Sequence, residues 1–111
     1  MKGIKFIKKS DRAAPRRVDG ESVGLLFMSD VMEGILVELE PMTGFEGSYR
    51  HNGEEMHIVL EGEVEFTVAG EGYLCQEGDI LWHDSSLEHR IQNPGMAPAT
   101  YLTIVAPPAL R

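Results

Sequence analysis

Residues 63–68 read Glu-Val-Glu-Phe-Thr-Val, a strict alternation of polar and apolar side chains. An extended strand turns successive side chains to opposite faces, so Val64, Phe66 and Val68 share one face and Glu63, Glu65 and Thr67 the other. Ile35, Val37 and Leu39, interleaved with Leu36, Glu38 and Glu40, repeat the pattern. Further extended runs are expected at 4–7, 24–29, 47–51, 55–60, 72–75, 79–83, 88–92 and 99–105. Turn chemistry separates them: Pro41 to Gly44, Asn52-Gly53, Glu61-Gly62, Ala69 to Gly72, Glu77-Gly78-Asp79 and Asn93-Pro94-Gly95. No segment joins a good helix cap to three turns of helical apolar spacing. Many short strands at even spacing predict an all-β domain, a sandwich or barrel.

A chain of 111 residues makes one core. Residues 1–20 read as a basic arm, irregular from Ser10 to Gly20, and residues 21–111 as the barrel domain. Residues 1–17 carry seven Lys or Arg against one Asp, whereas residues 18–111 carry three Arg against seventeen acids. An acidic body offers no basic face for phosphates, which argues against a nucleic-acid partner. No apolar run approaches the length that spans a bilayer, and the N-terminus lacks the apolar stretch of a secretory signal. The single Cys75 has no internal partner for a disulfide, so a reducing, cytoplasmic location is expected. Sheet edges need cover, and a homodimer is expected, with Ile4, Phe6 and Ile7 of the arm lying along the partner's sheet.

The chemistry concentrates in two stretches, residues 49–66 and 77–93. His51 and Glu55 stand four apart around an Asn-Gly turn, and His89 opens another short run. Two imidazoles and one carboxylate are a donor set of iron(II) sites that keep open positions for substrate and oxygen. A two-residue hairpin loop would pair His51 with Glu54, and a three-residue loop would pair it with Glu55. Spacing alone leaves both registers open. With Glu55 inward, the period of two turns His57 and Val59 to the same face. His83 lies beside Trp82 in a run without a carboxylate partner and is expected to be structural.

These residues resemble the two motifs of the cupin superfamily, small β-barrels of the jelly-roll type. The first motif has two histidines one residue apart, three or four residues, a glutamate, six residues and a glycine. Here His51 is followed by three residues, Glu55, six residues and Gly62, a frame that selects Glu55 over Glu54. The second motif is matched by Gly78, His89 and Asn93. The likeness covers about residues 44–95, and the strand pattern extends it over most of the chain. Tyr49 stands where the family has its first histidine, and Asp84 and Ser86 stand at the family's proline and glycine. The resemblance implies a metal held by His51, Glu55 and His89, a reduced set that some cupin-like iron epoxidases use. Iron, manganese, nickel and zinc all suit such mixed ligands. The chain is also similar to the cupin sensor domains of helix-turn-helix regulators. The twenty residues ahead of the barrel are too few for a DNA-binding domain.

Strand parity expects a pocket lined by Tyr49, His51, Glu55, His57, Val59, His89, Ile91 and Asn93, with Arg50 and Arg90 facing away. With no inward basic residue, it suits a neutral or cationic small molecule, or a small anion held by the metal. The first expectation for function is a metal-dependent enzyme, oxygenase- or isomerase-like, with His57 or Tyr49 as proton carrier. The alternative is a non-catalytic module that binds or senses a small molecule, with metal optional. The family's folds carry many unrelated functions, so the site must decide between these.

Overall fold

A computed structural model describes residues 3–44 and 51–108, and in it the alternating segments become strands. They are β1 (Arg16–Val18), β2 (Glu21–Met28), β3 (Glu33–Leu39), β4 (Glu54–Glu61), β5 (Glu63–Val68), β6 (Glu71–Gln76), β7 (Ile80–Asp84), β8 (His89–Gln92) and β9 (Ala99–Ala106). The described residues contain no α-helix, and their only helical element is a single 3-10 turn at Lys9–Asp11. One sheet has six strands in the order β1-β2-β3-β9-β4-β7, and the other has three in the order β6-β5-β8. Every pairing is antiparallel. This is the two-sheet jelly-roll architecture that the alternation predicts.

Local sequence explains the turns. Asp19-Gly20 and Ala69-Gly70 each join two strands through a pair of residues with positive φ, 47° and 84° in the first, 50° and 85° in the second. Such a pair twists in the same sense as its strands, and glycine takes the second place without steric cost.

The two sheets meet through the faces set by the period of two. Ile35, Val37 and Leu39 of β3, Val59 of β4 and Tyr101 of β9 pack against Val64, Phe66 and Val68 of β5 and Ile91 of β8. The inward rows change character toward one end of the sandwich. On β4 the row passes from Val59 through His57 to Glu55, and on β8 from Ile91 to His89. The apolar end closes the core by excluding water, and the polar end collects the titratable groups.

Three expectations are corrected. Residues 4–7 form no strand: Ile4 and Phe6 are 68% and 80% exposed, and the described residues place no ladder partner beside them. The segment expected to be irregular contains β1, because Arg16–Val18 has β2 to pair with. The tight hairpin pairing His51 with Glu54 or Glu55 is also absent. Glu55 is opposed by His83 on β7 and by Val105 on β9, so both edges of β4 are taken. His51 instead donates its backbone N–H to the Ser85 carbonyl at 3.0 Å, and Gly53 accepts from Ser85 N–H at 2.8 Å. The expected run at 47–51 lies mostly outside the described residues, and His51 itself is not in a strand.

Candidate metal centre

Glu55 is the hub of the polar end. Its neighbour Glu54 points outward and accepts from the Trp82 indole N–H at 2.8 Å, whereas Glu55 is only 5% exposed. Four imidazoles surround its carboxylate. His51 Nε2 lies 2.9 Å from Oε2, and Nε2 of His57, His89 and His83 lie 3.2, 3.4 and 3.6 Å from Oε1. Ser85 Oγ donates to Oε2 at 2.8 Å. The groups converge from several elements: Glu55 and His57 from β4, His83 from β7, His89 from β8, and His51 and Ser85 from the segments beside them.

The second ring nitrogens are held from behind. His83 Nδ1 bonds the Asp84 carbonyl at 2.9 Å and His89 Nδ1 bonds the Leu87 carbonyl at 2.8 Å. A carbonyl only accepts, so Nδ1 carries a proton in both rings, and each Nε2 is turned toward Glu55. His57 Nδ1 meets Thr103 Oγ1 at 2.7 Å, and its ring stacks on Phe66 with centroids 4.5 Å apart. His51 is the most open member, 27% exposed at its side chain, and its Nδ1 has no hydrogen-bond partner among the described residues.

Burial alone would raise the pKa of Glu55, but the hydrogen bond from His57, the charges at His57 and His89 and the Ser85 hydroxyl outweigh it and hold the carboxyl down at about 2. Burial depresses His57 below its usual range, and the bond and charge of Glu55 only partly oppose this. The hub is therefore a carboxylate at neutral pH.

The donor set suits a divalent cation. Imidazole rings whose Nδ1–H groups donate to carbonyls, as those of His83 and His89 do, are oriented as metal-bound histidines are. Ligands at about 2.0–2.2 Å from a common ion stand roughly 3–3.5 Å from one another, and the separations from Glu55, 2.9 to 3.6 Å, bracket that range. Two overlapping groups bring their donor atoms within 4.8 Å of one another: His51, Glu55 and His89, and Glu55, His57 and His83. The first is the trio expected from sequence.

The other expected residues fall differently. Tyr49 lies outside the described residues. Val59 and Ile91 are buried, but as members of the apolar core beneath the imidazoles. Asn93, expected as a pocket wall, is buried and ties loops together. Its Nδ2 donates to Ala97, Glu40 and Leu39 carbonyls at 2.8, 3.2 and 3.3 Å, and its Oδ1 accepts from Gly95 N–H at 3.0 Å. His83, Ser85 and Thr103 join the cluster without having been expected there. Parity on β7 carries the signal for the first two: Leu81, His83 and Ser85 turn inward while Ile80, Trp82 and Asp84 turn out.

The Cupin_2 profile, described as a cupin domain, matches residues 35–105. A curated relative from Archaeoglobus fulgidus, called an uncharacterized protein, is 35% identical over 60 residues, covering 54% of this chain and 57% of that one. The chain thus spans little more than half the length of that relative. Among solved structures, KdgF from Halomonas sp. superposes with a TM-score of 0.84 at 12% identity over 96% of each chain. A predicted oxalate decarboxylase from Thermotoga maritima gives 0.78 at 22% identity, covering 92% of this chain and 98% of that one. The Cupin_2 domain of an XRE family transcriptional regulator from Enterobacter cloacae gives 0.75 at 19%, covering 82% of this chain and all of that domain. At these identities the structural likenesses establish the fold alone. The profile match takes in more than half of the residues and includes Glu55, His57, His83 and His89, so this chain belongs to the cupin domain family.

Proposed function

We propose that this protein is a small metal-dependent cupin in which His51, Glu55 and His89 hold a divalent ion, with iron, manganese, nickel and zinc as candidates, and act on a small molecule. One observation carries the reading. His51 and His89 bring Nε2 to 2.9 and 3.4 Å of the two oxygens of the buried Glu55 carboxylate, and one donor atom from each of the three residues lies within 4.8 Å of the others. Such a gathering of imidazole and carboxylate donors suits a cation at its centre. A bound ion supplies Lewis acidity or activates oxygen. The chain's own groups prepare the place for it. Glu55 stays ionised, Ser85 fixes its Oε2, and the Leu87 carbonyl fixes the His89 ring. His51, the most exposed ligand, marks the side from which a small molecule arrives.

His57 is a poor candidate for direct proton transfer to substrate. It is 1% exposed, with both nitrogens engaged inside the cluster. The role of outer proton carrier passes to Tyr49 in this reading. No Lys or Arg among the described residues is buried, which favours a neutral or cationic ligand, or an anion bound through the metal.

Metal content of the purified protein tests the proposal. Zinc, iron, manganese and nickel are measured for the wild type and for His51→Ala and His89→Ala. Both variants should lose metal, and Tyr49→His should bind it more tightly by adding a ligand. Wild-type metal content unchanged by either alanine substitution overturns the assignment. The burial of Glu55 and His89 favours a second reading, a binding or sensing module that closes over its ligand. Ligand-dependent stabilisation without turnover of any co-purified molecule would select it.

A further inference from the structure

The trio assigned above leaves two imidazoles unaccounted for. Two buried histidines beside a buried carboxylate, on the core side of the centre, need their own explanation. His57 and His83 bring their Nε2 atoms to 3.0 Å of each other, and both approach Glu55 Oε1, at 3.2 and 3.6 Å. Around an ion with bonds of about 2.1 Å, adjacent donors stand roughly 3.0 Å apart at right angles and roughly 3.4 Å apart at tetrahedral angles. The triangle of 3.0, 3.2 and 3.6 Å brackets those edges.

The rings are also set in place. Asp84 carbonyl holds His83 Nδ1, Thr103 Oγ1 holds His57 Nδ1, and Phe66 stacks beneath His57. All three donors are buried, with exposures of 5%, 1% and 5% for Glu55, His57 and His83. The Glu55 carboxylate takes donors on both oxygens: His51 approaches Oε2, whereas His57, His83 and His89 approach Oε1. A carboxylate with donors gathered on both oxygens is the bridge of a two-metal site, whose ions sit about 3.5–4 Å apart.

We infer that Glu55, His57 and His83 form a second, inner metal position, sealed behind the outer one, with Glu55 bridging the two. This rests on the reading of Glu55 as a metal ligand in the proposed function. The inner position is enclosed by Thr103, Phe66 and the sheet. Its ion therefore fixes Glu55 and adds positive charge behind the outer site, and the outer ion alone meets the small molecule.

The test loads metal-free protein with zinc(II), removes excess by gel filtration, and measures zinc per chain. Anomalous scattering from crystals then locates each ion. Two equivalents are expected, with one anomalous peak among His51, Glu55 and His89 and one among Glu55, His57 and His83. His57→Gln and His83→Gln should each bring the count to one, and so should His51→Gln and His89→Gln. One equivalent that survives loss of His57 and His83 overturns the inner position and leaves the proposed function standing. One equivalent that survives loss of His51 and His89 supports the inner position and overturns the proposed function. One equivalent lost in all four variants means a single centre and overturns the second position. No zinc at all means that the triangle holds a proton only, and both readings fall. Should the buried variants not fold, the wild-type peaks still decide, because they require no substitution.

Discussion

Replacing Glu55 with Gln removes the hub charge while keeping the shape of the side chain. In the wild type the carboxyl is held at about 2, against an ordinary value of 4.5. At about 1.4 kcal/mol per pH unit this gap is worth about 3 kcal/mol of folded-state stability. A depressed carboxyl contributes its stability above the unfolded value and loses it as pH falls through the folded one. The contribution is complete at pH 7 and disappears between 4.5 and about 2. The glutamine cannot accept the same charge-assisted bonds from Ser85 and the imidazoles, so the variant lacks the contribution at every pH. For a domain of this size the deficit lowers the melting temperature by about 10 °C. The assay is thermal unfolding of metal-free protein at pH 7, 5 and 3, followed by circular dichroism. The wild type should melt well above the variant at pH 7, and the two should converge toward pH 3. Zinc should then raise the wild-type melting temperature and leave that of the variant nearly unchanged, since only a ligand of the folded state stabilises it. Equal melting of the two metal-free proteins at pH 7 would refute the reasoning. A gap that stays constant down to pH 3 would do the same, because the charge would then not be its origin.

Gly53→Ala should cost more than about 2 kcal/mol and loosen metal binding, because φ is +117° and a Cβ there meets the Ala106 carbonyl oxygen and, at 2.6 Å, Pro107 Cδ. Denaturant unfolding with and without zinc checks both effects, since this segment also carries His51. Burial raises the Glu21 carboxyl to about 7, with nearby Arg16 opposing. A raised acid binds its proton more tightly folded than unfolded, so stability falls as pH climbs from 4.5 to about 7. Glu21→Gln should then gain about 1 kcal/mol over the wild type between pH 5 and pH 8 after solvent screening, visible as melting temperatures that diverge with pH. Deleting residues 1–10 should shift the protein from dimer to monomer or aggregate in light scattering if the arm, with its exposed Ile4 and Phe6, covers a partner. An unchanged dimer of normal stability would remove the arm from that contact.

Legibility in the sequence followed the contrast between the two faces of each strand. Strand β5 alternates Glu or Thr with Val or Phe, so one face alone suits the core, and its burial matches that reading at every residue. Strand β7 carries Ile80 and Trp82, its bulkiest residues, on the outer face, at 62% and 57% exposure, and turns Leu81 and His83 inward. In the sequence His83 reads as structural because its own run carries no carboxylate partner. Its relation to Glu55 is a cross-strand pairing between β4 and β7, set by sheet order, which local pattern does not encode. The same limit explains the lost hairpin. Asn52-Gly53 carries turn chemistry, but β9 and β7 occupy both edges of β4 and leave no ladder position for His51. Asn93 was placed by motif and parity, and neither shows that three loop carbonyls and the Gly95 N–H take up its amide.

The centre also shows why a tertiary position can matter more than a motif. A carboxylate in the interior needs either a fixed positive partner or a shell of donors. No buried Lys or Arg is supplied among the described residues. The Ser85 hydroxyl donates to Glu55, and the Nε2 atoms of four imidazoles surround the same carboxylate. Two of them, His83 from β7 and His89 from β8, face the one oxygen Oε1. A hydrophobic residue at either position would pack without placing a polar ring beside the hub, so a stability argument alone does not account for two histidines there. In the proposed reading a cation employs such rings, and it does so with residues that the departure at Tyr49 leaves intact.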